Sequence, residues 1–350
     1  MKAVISYLLL IICCSAFAQE DVTVTPTPQS KYDSVRSIYI KPFPDHFFIW
    51  PVVKQRRFDF EMQRIEDKKD AFSFKSNKPF SVGFGMYLFE LGVEFAFAVP
   101  LNEQSKAIYG ESHTRDYQLN TFGKRWGAEA YYQKYKGFYI DDLKGNIPAN
   151  TPYPQRPDIE TRNVGVMGNY ILNSKKFSFK SVYNFGERQL KSAGTFVVFA
   201  ALNGFRATGD SSLLGSDFED RFGDDAFIRE IKINTLAVAP GYAYNLIYKG
   251  FFLHGTLAFG PAHNWISFTR ADVTSHASKI DLFSTVRVAM GYNGDRFFGG
   301  LTFITQSRTG KFEEAMISSS NTSFKMMIGY RIKEFGVLKK RIWDIPKAIF

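Results

Sequence analysis

Two consecutive segments between Thr235 and Phe268 alternate so regularly that they constrain the fold of the whole chain. Large apolar or aromatic residues occupy the even positions from 236 to 248, and small or polar residues occupy the odd positions from 237 to 245. After Lys249-Gly250, one face carries Phe251, Leu253, Leu257 and Phe259, and the other carries His254, Thr256, Ala258, Gly260 and Asn264. Successive side chains of a strand point to opposite faces, and about ten residues suffice for a tilted strand to cross a bilayer. With aromatics near the segment ends, this pattern predicts two strands of an antiparallel transmembrane β-barrel.

Residues 1–18 have the organisation of a secretory signal peptide. Lys2 supplies a positive start, Val4–Cys14 is a short apolar segment, and Ala16-Phe17-Ala18 is a small-residue cleavage pattern. The apolar segment is too short for a transmembrane helix. We therefore predict export with cleavage after Ala18.

Both cysteines, Cys13 and Cys14, lie inside this signal peptide. A cysteine-free mature chain excludes disulfides, thiol catalysis and cysteine-ligated metal. Lipid attachment at either cysteine is an alternative. The bulky Ile12 before Cys13 disfavours it, because a small residue is expected there.

The chain is basic, with a formal net charge of +10, and 17% of its residues are aromatic. For an exported protein, this charge favours outer-membrane lipid, lipopolysaccharide or an anionic solute as partner rather than nucleic acid; a solvated surface is the alternative. No apolar segment after residue 18 is long enough for a spanning helix. Only helices and closed barrels satisfy their backbone groups in lipid, so we predict a bacterial outer-membrane barrel inserted by the barrel-assembly machinery. A soluble exported β-barrel that binds an apolar ligand remains an alternative.

The order of connections predicts a barrel of about 12 strands, in a range of roughly 10–14, with both chain ends in the periplasm. We expect a periplasmic N-terminal linker at 19–45, the barrel at 46–332 and a basic C-terminal extension at 333–350. Short periplasmic turns are predicted near residues 90, 123, 174, 249 and 294, and longer outer loops at 64–79, 100–113, 140–160, 266–278 and 309–321.

This alternation of short and long connections fails once, at residues 186–230. Phe177–Phe185 reads as a strand that pairs with Val164–Leu172. Either that strand continues past Thr195, or an extra element lies inside or beneath the barrel.

The last residues lose the strand pattern after Ile332. Pro346 and the cluster Lys339-Lys340-Arg341 make a closing strand unfavourable, because proline cannot donate to a ladder. We expect a periplasmic extension. The alternative is that the terminal Phe350 is an assembly signal.

Five segments occur in an order and spacing similar to those of a known family: Asn77–Gly85, Leu91-Gly92, Tyr131–Tyr139, Arg188–Gly194 and Gly241–Tyr244. Together they resemble the domain-of-unknown-function 4421 family over roughly residues 40–332. That family comprises exported proteins of Gram-negative bacteria expected to form outer-membrane barrels. The resemblance implies location and architecture, and it implies no activity.

Charged and polar residues on the faces opposite the apolar ones are predicted to face the lumen: Glu94, Glu129, His254, Asp281, Arg287, Lys325 and Arg331. Mixed charge inside a barrel lines a water-filled pore or forms ion pairs that fill a narrow lumen. We favour the lumen filled by ion pairs over the water-filled pore.

Catalytic and metal sites are not predicted. His254 and His263 differ in parity and would face opposite sides of one strand, and no cluster has the spacing of metal ligands. The acidic segment from Asp217 to Asp225 lacks the calcium-loop pattern, and Gly83 and Gly85 precede no helix that could cradle phosphate. The leading function is therefore a structural or channel-like barrel without catalysis or cofactor. An outer-membrane hydrolase acting on lipid or envelope polymer is the alternative. The sequence leaves the oligomeric state open.

Overall fold

In a computed structural model, which describes residues 31–66, 71–88, 91–142, 151–214, 219–270, 273–311 and 315–333, the chain folds around one antiparallel sheet. The strands are β1 (Ile40–Pro42), β2 (His46–Arg64), β3 (Ala71–Lys75), β4 (Ser81–Leu88), β5 (Leu91–Ala98), β6 (His113–Phe122), β7 (Trp126–Asp142), β8 (Gln155–Ile171), β9 (Glu187–Gln189), β10 (Ala193–Thr208), β11 (Ile228–Tyr248), β12 (Phe251–Arg270), β13 (Val273–Asn293), β14 (Phe297–Lys311) and β15 (Ala315–Lys333). The helices are α1 (Lys31–Tyr39), α2 (Glu103–Tyr109), α3 (Lys180–Tyr183) and α4 (Glu219–Phe222), and a 3-10 turn follows at Gly223–Phe227.

Ten of these strands close into a ring, in the order β2, β15, β14, β13, β12, β11, β10, β8, β7 and β3. Every neighbouring pair is antiparallel, and the ladder between β15 and β2 closes the barrel. The predicted antiparallel barrel is thus confirmed, with a count at the low end of the predicted range.

Three further strands widen the wall at one end. β4 pairs with the first half of β2, from Phe48 to Lys54, and β5 pairs with β4. β6 pairs with β7 at Gly127–Lys136. Within the described residues, no ladder joins β5 to β6.

The barrel has a turn end and a loop end. At the turn end lie the tight connections at Gly123, Lys249-Gly250 and Gly294, together with the start of β2 and the end of β15. Lys249 and Gly250 both adopt positive φ, of 48° and 89°. The predicted turns near 123, 249 and 294 therefore occur as expected. The opposite end is called the loop end below.

Along the barrel axis, the apolar side chains change from the outer face of the wall to the inner face. Near the turn end the outer face is apolar: Leu257 is 54% exposed, whereas Thr256 beside it is 3% exposed. This confirms the face assignment made for β11 and β12. Near the loop end the pattern inverts, because Phe58 and Phe60 of β2 are buried in the lumen and Asp59 points outward.

Four local predictions were wrong. The expected outer loop at 64–79 contains β3 (Ala71–Lys75), which joins β2 to β7 in the ring. Phe177–Phe185 is not a strand, because it folds inside the barrel and contains α3. Residues 266–278 and 309–321 are mostly strand rather than loop, since β12, β13, β14 and β15 continue through them. Their outer faces are polar near the loop end, so the apolar alternation that marks a spanning strand is absent there.

The predictions at both chain ends fall largely outside the described residues. The signal peptide, its cleavage site and the C-terminal extension lie in 1–30 and 334–350. From the expected linker, residues 31–45 are described and include α1 and β1. No helix among the described residues is long and apolar enough to cross a membrane.

Candidate functional site in the barrel interior

Residues 173–192, here called the plug, connect β8 to β10 at the turn end and fold back into the lumen. The Ser178 hydroxyl accepts a hydrogen bond from Ser181 N at 3.2 Å, which begins the single turn of α3. Phe185 ends it with a positive φ of 55°. The plug buries five large side chains among those of the wall: Phe177, Phe179, Val182, Tyr183 and Phe185.

A buried histidine joins the plug to the wall. Asn245 Oδ1 lies 2.5 Å from His254 Nδ1, while the Asn245 amide nitrogen donates to Gln189 of the plug at 2.8 Å. The amide oxygen is therefore an acceptor, so Nδ1 carries the proton and Nε2 accepts. Nε2 lies 3.0 Å from the Tyr183 hydroxyl and 2.8 Å from the Thr256 hydroxyl. Both imidazole nitrogens therefore have hydrogen-bond partners within the protein.

The N-terminal residues pack against the plug at the turn end. Arg36 of α1 donates to both carboxylate oxygens of Glu187, at 2.8 and 2.7 Å, and β1 pairs with β9. In the β13–β14 turn, Asp295 accepts hydrogen bonds from Lys41 and Arg188. The hydrogen bond from Lys41 is the main cause that lowers the pKa of Asp295.

This arrangement predicts that Glu187→Gln weakens the attachment of the N-terminal residues. The substitution leaves the buried Arg36 guanidinium without its carboxylate partner, which is a costly arrangement for a buried cation. We expect faster proteolytic cleavage within residues 31–45, with the barrel itself still folded on a heat-modifiability gel. Glu103→Gln, at the exposed start of α2, is the control and should leave the cleavage rate unchanged.

Above the plug lies a polar layer centred on one ion pair. Arg287 Nη1 is 2.6 Å from Glu129 Oε1, and Arg287 is fully buried. The guanidinium also lies over the Phe199 ring, 4.8 Å from its centre. Gln306 donates to the other Glu129 oxygen at 3.4 Å, and Arg308 donates to the Tyr131 hydroxyl at 2.8 Å.

Amide side chains extend this layer across the lumen. Asn203 donates to Asn163 at 2.6 Å, Asn163 donates to Gln133 at 2.8 Å, and Gln133 donates to Asn321 at 3.2 Å. The chain of amides links β10, β8, β7 and β15, and all four side chains are buried. Its last link, from Gln133 to Asn321, joins β7 to β15, which are not neighbours in the sheet.

A second charged group, here called the wall cluster, lies where β4 and β6 meet the ring. Glu94 of β5 accepts from Lys54 at 3.3 Å, from Lys325 at 3.1 Å and from Trp50 at 3.2 Å. Gly85 of β4 permits this contact, since a Cβ there would lie 2.2 Å from the Trp50 ring.

The wall cluster continues around a second carboxylate. Asp116 of β6 pairs with Arg56 and, at 2.9 Å, with Lys78, and accepts from the Tyr135 hydroxyl at 2.8 Å. The cluster therefore contains the cations Lys54, Arg56, Lys78 and Lys325 and the carboxylates Glu94 and Asp116.

The loop end of the lumen is filled by apolar side chains. Phe60 stacks on Phe74 with ring centres 4.4 Å apart, and Leu213 and Phe222 of the β10–β11 connection are fully buried among them. Asp225 closes this layer by accepting from Ala315 N at 2.8 Å. The lumen thus contains the plug, a polar layer and an apolar layer.

The predicted lumen-facing residues separate into two sets. Glu129, His254, Arg287 and Arg331 are buried in the lumen, while Glu94 and Lys325 belong to the partly exposed wall cluster. Asp281 is half-buried and accepts from Asn264 at 3.1 Å. Arg331 pairs with no carboxylate among the described residues, and it donates to the carbonyls of Gly294 and Phe185.

Sequence reasoning missed the plug aromatics and Arg308. Arg308 shares the even parity of Thr302 and Gln306, so extending β14 beyond Thr305 would have found it. The plug carries no comparable signal, because its aromatic spacing resembles that of a strand.

The described residues contain no group of three histidine, cysteine or acidic side chains able to hold a metal, and Asp217 lies outside them. A cavity beside Asn203, Arg308 and Ile317 measures about 10 Å³, which is about the space of one water molecule. On the outer face, the Ser278 hydroxyl lies 2.9 Å from His263 Nε2.

Comparison with known proteins gives one family. Residues 31–332 match the family model described as "Domain of unknown function (DUF4421)". No curated protein matches this chain.

The solved structures it resembles are bacterial outer-membrane proteins. The translocator domain of autotransporter NalP from Neisseria meningitidis is 9% identical, with 82% of this chain and 89% of that chain covered and a TM-score of 0.32. Outer-membrane expressed OmpT of Vibrio cholerae is 8% identical, with 82% and 98% covered and a TM-score of 0.28.

Proposed function

This chain belongs to the DUF4421 family, and we propose that it is an outer-membrane β-barrel with a structural role and a closed, non-conducting lumen. The observation that carries the proposal is the three-layer filling of the interior. The proposal includes export by the signal peptide with cleavage after Ala18, and it places the turn end in the periplasm, as short turns are in outer-membrane barrels.

The outer surface supports a membrane location. Large apolar side chains are exposed around the turn-end half of the wall, on strands that neighbour one another: Val166, Phe196, Leu202, Leu236, Val238, Leu253, Leu257, Leu282, Met290, Leu301, Phe303, Met326 and Ile328. Soluble proteins rarely expose a continuous apolar area of this extent. A closed ring satisfies its backbone in lipid, so this belt fits the hydrocarbon core.

The interior supports closure rather than conduction. A water-filled pore needs polar side chains that remain solvated, whereas the carboxylate of Glu129 is neutralised by Arg287 in a site closed to water. The plug lies on one side of this ion pair and the apolar layer around Phe60 lies on the other. An ion would have to displace packed side chains at three levels.

Planar-bilayer recording tests the closed lumen. We expect folded wild-type protein to add no unitary current steps. A variant in which Asn-Gly replaces residues 174–194, a two-residue turn suited to joining β8 to β10, should also stay silent, because the polar and apolar layers remain. Steady steps from the wild type would overturn closure. Steps from the shortened variant alone would identify the plug as a channel gate.

Membrane location is tested separately by fractionation with a heat-modifiability gel. We expect the folded form in the outer-membrane fraction. Recovery of folded protein in the soluble periplasm would instead favour the soluble barrel that binds an apolar ligand.

A second candidate, an outer-membrane hydrolase, is favoured by the contact between Ser278 and His263. The imidazole lies beside Trp265, with ring centres 4.4 Å apart, on the outer face of the barrel. Serine catalysis also needs a third group that orients the histidine. In the described part of the chain, no carboxylate accepts a hydrogen bond from His263.

Fatty-acid release from phospholipid micelles decides between the two candidates. We expect wild-type protein and Ser278→Ala to release equal, background amounts. Release by the wild type that is lost in both Ser278→Ala and His263→Gln would establish the hydrolase.

A further inference from the structure

Among the described residues, the wall of the barrel is interrupted inside its apolar belt, between the edges of β5 and β6. Both inward-facing and outward-facing side chains of β6 are exposed from Tyr117 to Thr121, although the lumen elsewhere is filled. Gln118 and Asn120 share the parity of Asp116 and therefore point toward the interior. Because backbone edges and polar side chains are unfavourable in lipid tails, this opening requires a polar occupant.

The wall cluster lies behind this opening and carries excess positive charge. Lys54 and Lys325 share the single carboxylate of Glu94, and Arg56 and Lys78 share that of Asp116. Lys54 and Lys325 keep 28% and 21% of their side-chain exposure, so they remain accessible. Two cations of the cluster are uncompensated, and charge complementarity calls for an anion.

The height of the cluster in the membrane identifies the kind of anion. Lys325 lies between the outward-facing Phe324 and Met326, and the next outward residue toward the loop end is the polar Thr322. The backbone of Lys325 and of its ladder partner Lys54 is therefore level with the loop-side edge of the apolar belt, and Glu94 lies nearer the turn end. Lipid headgroups lie at this level, and below it the outer faces of β5 and β6 expose Phe95, Phe97, Tyr117 and Leu119.

We propose that the opening between β5 and β6 binds the phosphate of an anionic membrane lipid, with its acyl chains against the exposed aromatic residues of both edges. Lys54 and Lys325 contact the phosphate, and Gln118 and Asn120, which lie deeper in the opening beside Tyr117 and Leu119, contact the ester groups of the lipid. This inference rests on the proposed membrane location and assigns a ligand to one place in the wall.

Native mass spectrometry of the purified barrel in detergent tests the site, with phosphatidylglycerol and phosphatidylcholine as probes. We expect wild-type protein to retain one phosphatidylglycerol molecule. It should prefer this lipid over phosphatidylcholine by about tenfold, because one hydrogen bond to a charged group contributes a preference of this size. Lys325→Gln leaves Lys54 and Glu94 as a neutral pair and should abolish this preference. Lys311→Gln, an exposed lysine at the loop end of β14, should retain it.

The position of the lipid is tested by labelling Gln118→Cys, the single cysteine of the mature variant, with bimane. Phosphatidylglycerol brominated on its acyl chains should quench this label, and the Lys325→Gln background should reduce the quenching.

Two outcomes would overturn the proposal. Equal retention by the wild type and Lys325→Gln would remove the charge contact, and displacement of the lipid by excess inorganic phosphate would show a site for free anions. Both measurements use protein already shown to be folded and heat-modifiable. Failure to enter membranes would thus contradict the proposed function, whereas a folded membrane barrel without lipid preference would contradict only this inference.

Discussion

Arg287→Leu is expected to lower the free energy of unfolding of the barrel by about 3–5 kcal/mol, the cost of leaving a buried charge without its partner. Among the described residues, Glu129 would keep only the 3.4 Å hydrogen bond from Gln306, in a site that is buried from bulk solvent. The leucine would also lose the contact of the guanidinium with Phe199. Urea titration of protein folded into vesicles measures this change.

The double variant Glu129→Leu/Arg287→Met separates a missing partner from damaged packing. Buried ion pairs can often be replaced by apolar residues of similar volume at little cost, so we expect the double variant to recover most of the loss. If it remains as unstable as Arg287→Leu, packing around residue 287 rather than the uncompensated Glu129 charge sets the stability. Lys311→Gln, remote and exposed, should leave the unfolding midpoint unchanged.

The part of the barrel that lies in the apolar belt could be predicted from sequence because one rule holds there. On β11 and β12, contact with lipid favours apolar side chains on the outer face. The alternation from Leu236 to Phe259 follows from this preference. The same rule fails near the loop end, where Phe58 and Phe60 are apolar because they fill the lumen. An alternation of period two shows that the two faces of a strand differ in polarity. It does not show which face points out of the barrel.

The interior was less predictable for a related reason. The parity of Glu129 and Arg287 placed both on one side of the wall, but their contact joins β7 to β13, which are not neighbours in the sheet. Their pairing depends on the closure and diameter of the barrel. Phe177–Phe185 was misread because its aromatic spacing fits a strand, while its actual partners, including His254, come from distant strands.

Substitutions at two adjacent positions of β12, Thr256 and Leu257, depend most strongly on whether water fills the lumen. We expect Leu257→Arg to prevent assembly, because a basic residue facing mid-membrane lipid costs about 2–4 kcal/mol. In a water-filled lumen, Thr256→Arg would be tolerated better. The structure gives the opposite expectation, since Thr256 is buried, donates to His254 and lies directly opposite Arg287 in the β12–β13 ladder.

Thr256→Arg should therefore be at least as damaging as Leu257→Arg. The new side chain would overfill a packed site and place a second guanidinium against Arg287, and both effects oppose folding. Thr256→Ser and Leu257→Phe preserve the hydroxyl and the apolar surface respectively, so both controls should assemble normally. The measurement is the fraction of heat-modifiable barrel on a gel, for equal amounts of protein refolded into vesicles. Normal assembly of Thr256→Arg beside failure of Leu257→Arg would mean that water reaches residue 256, and the closed lumen would have to be abandoned.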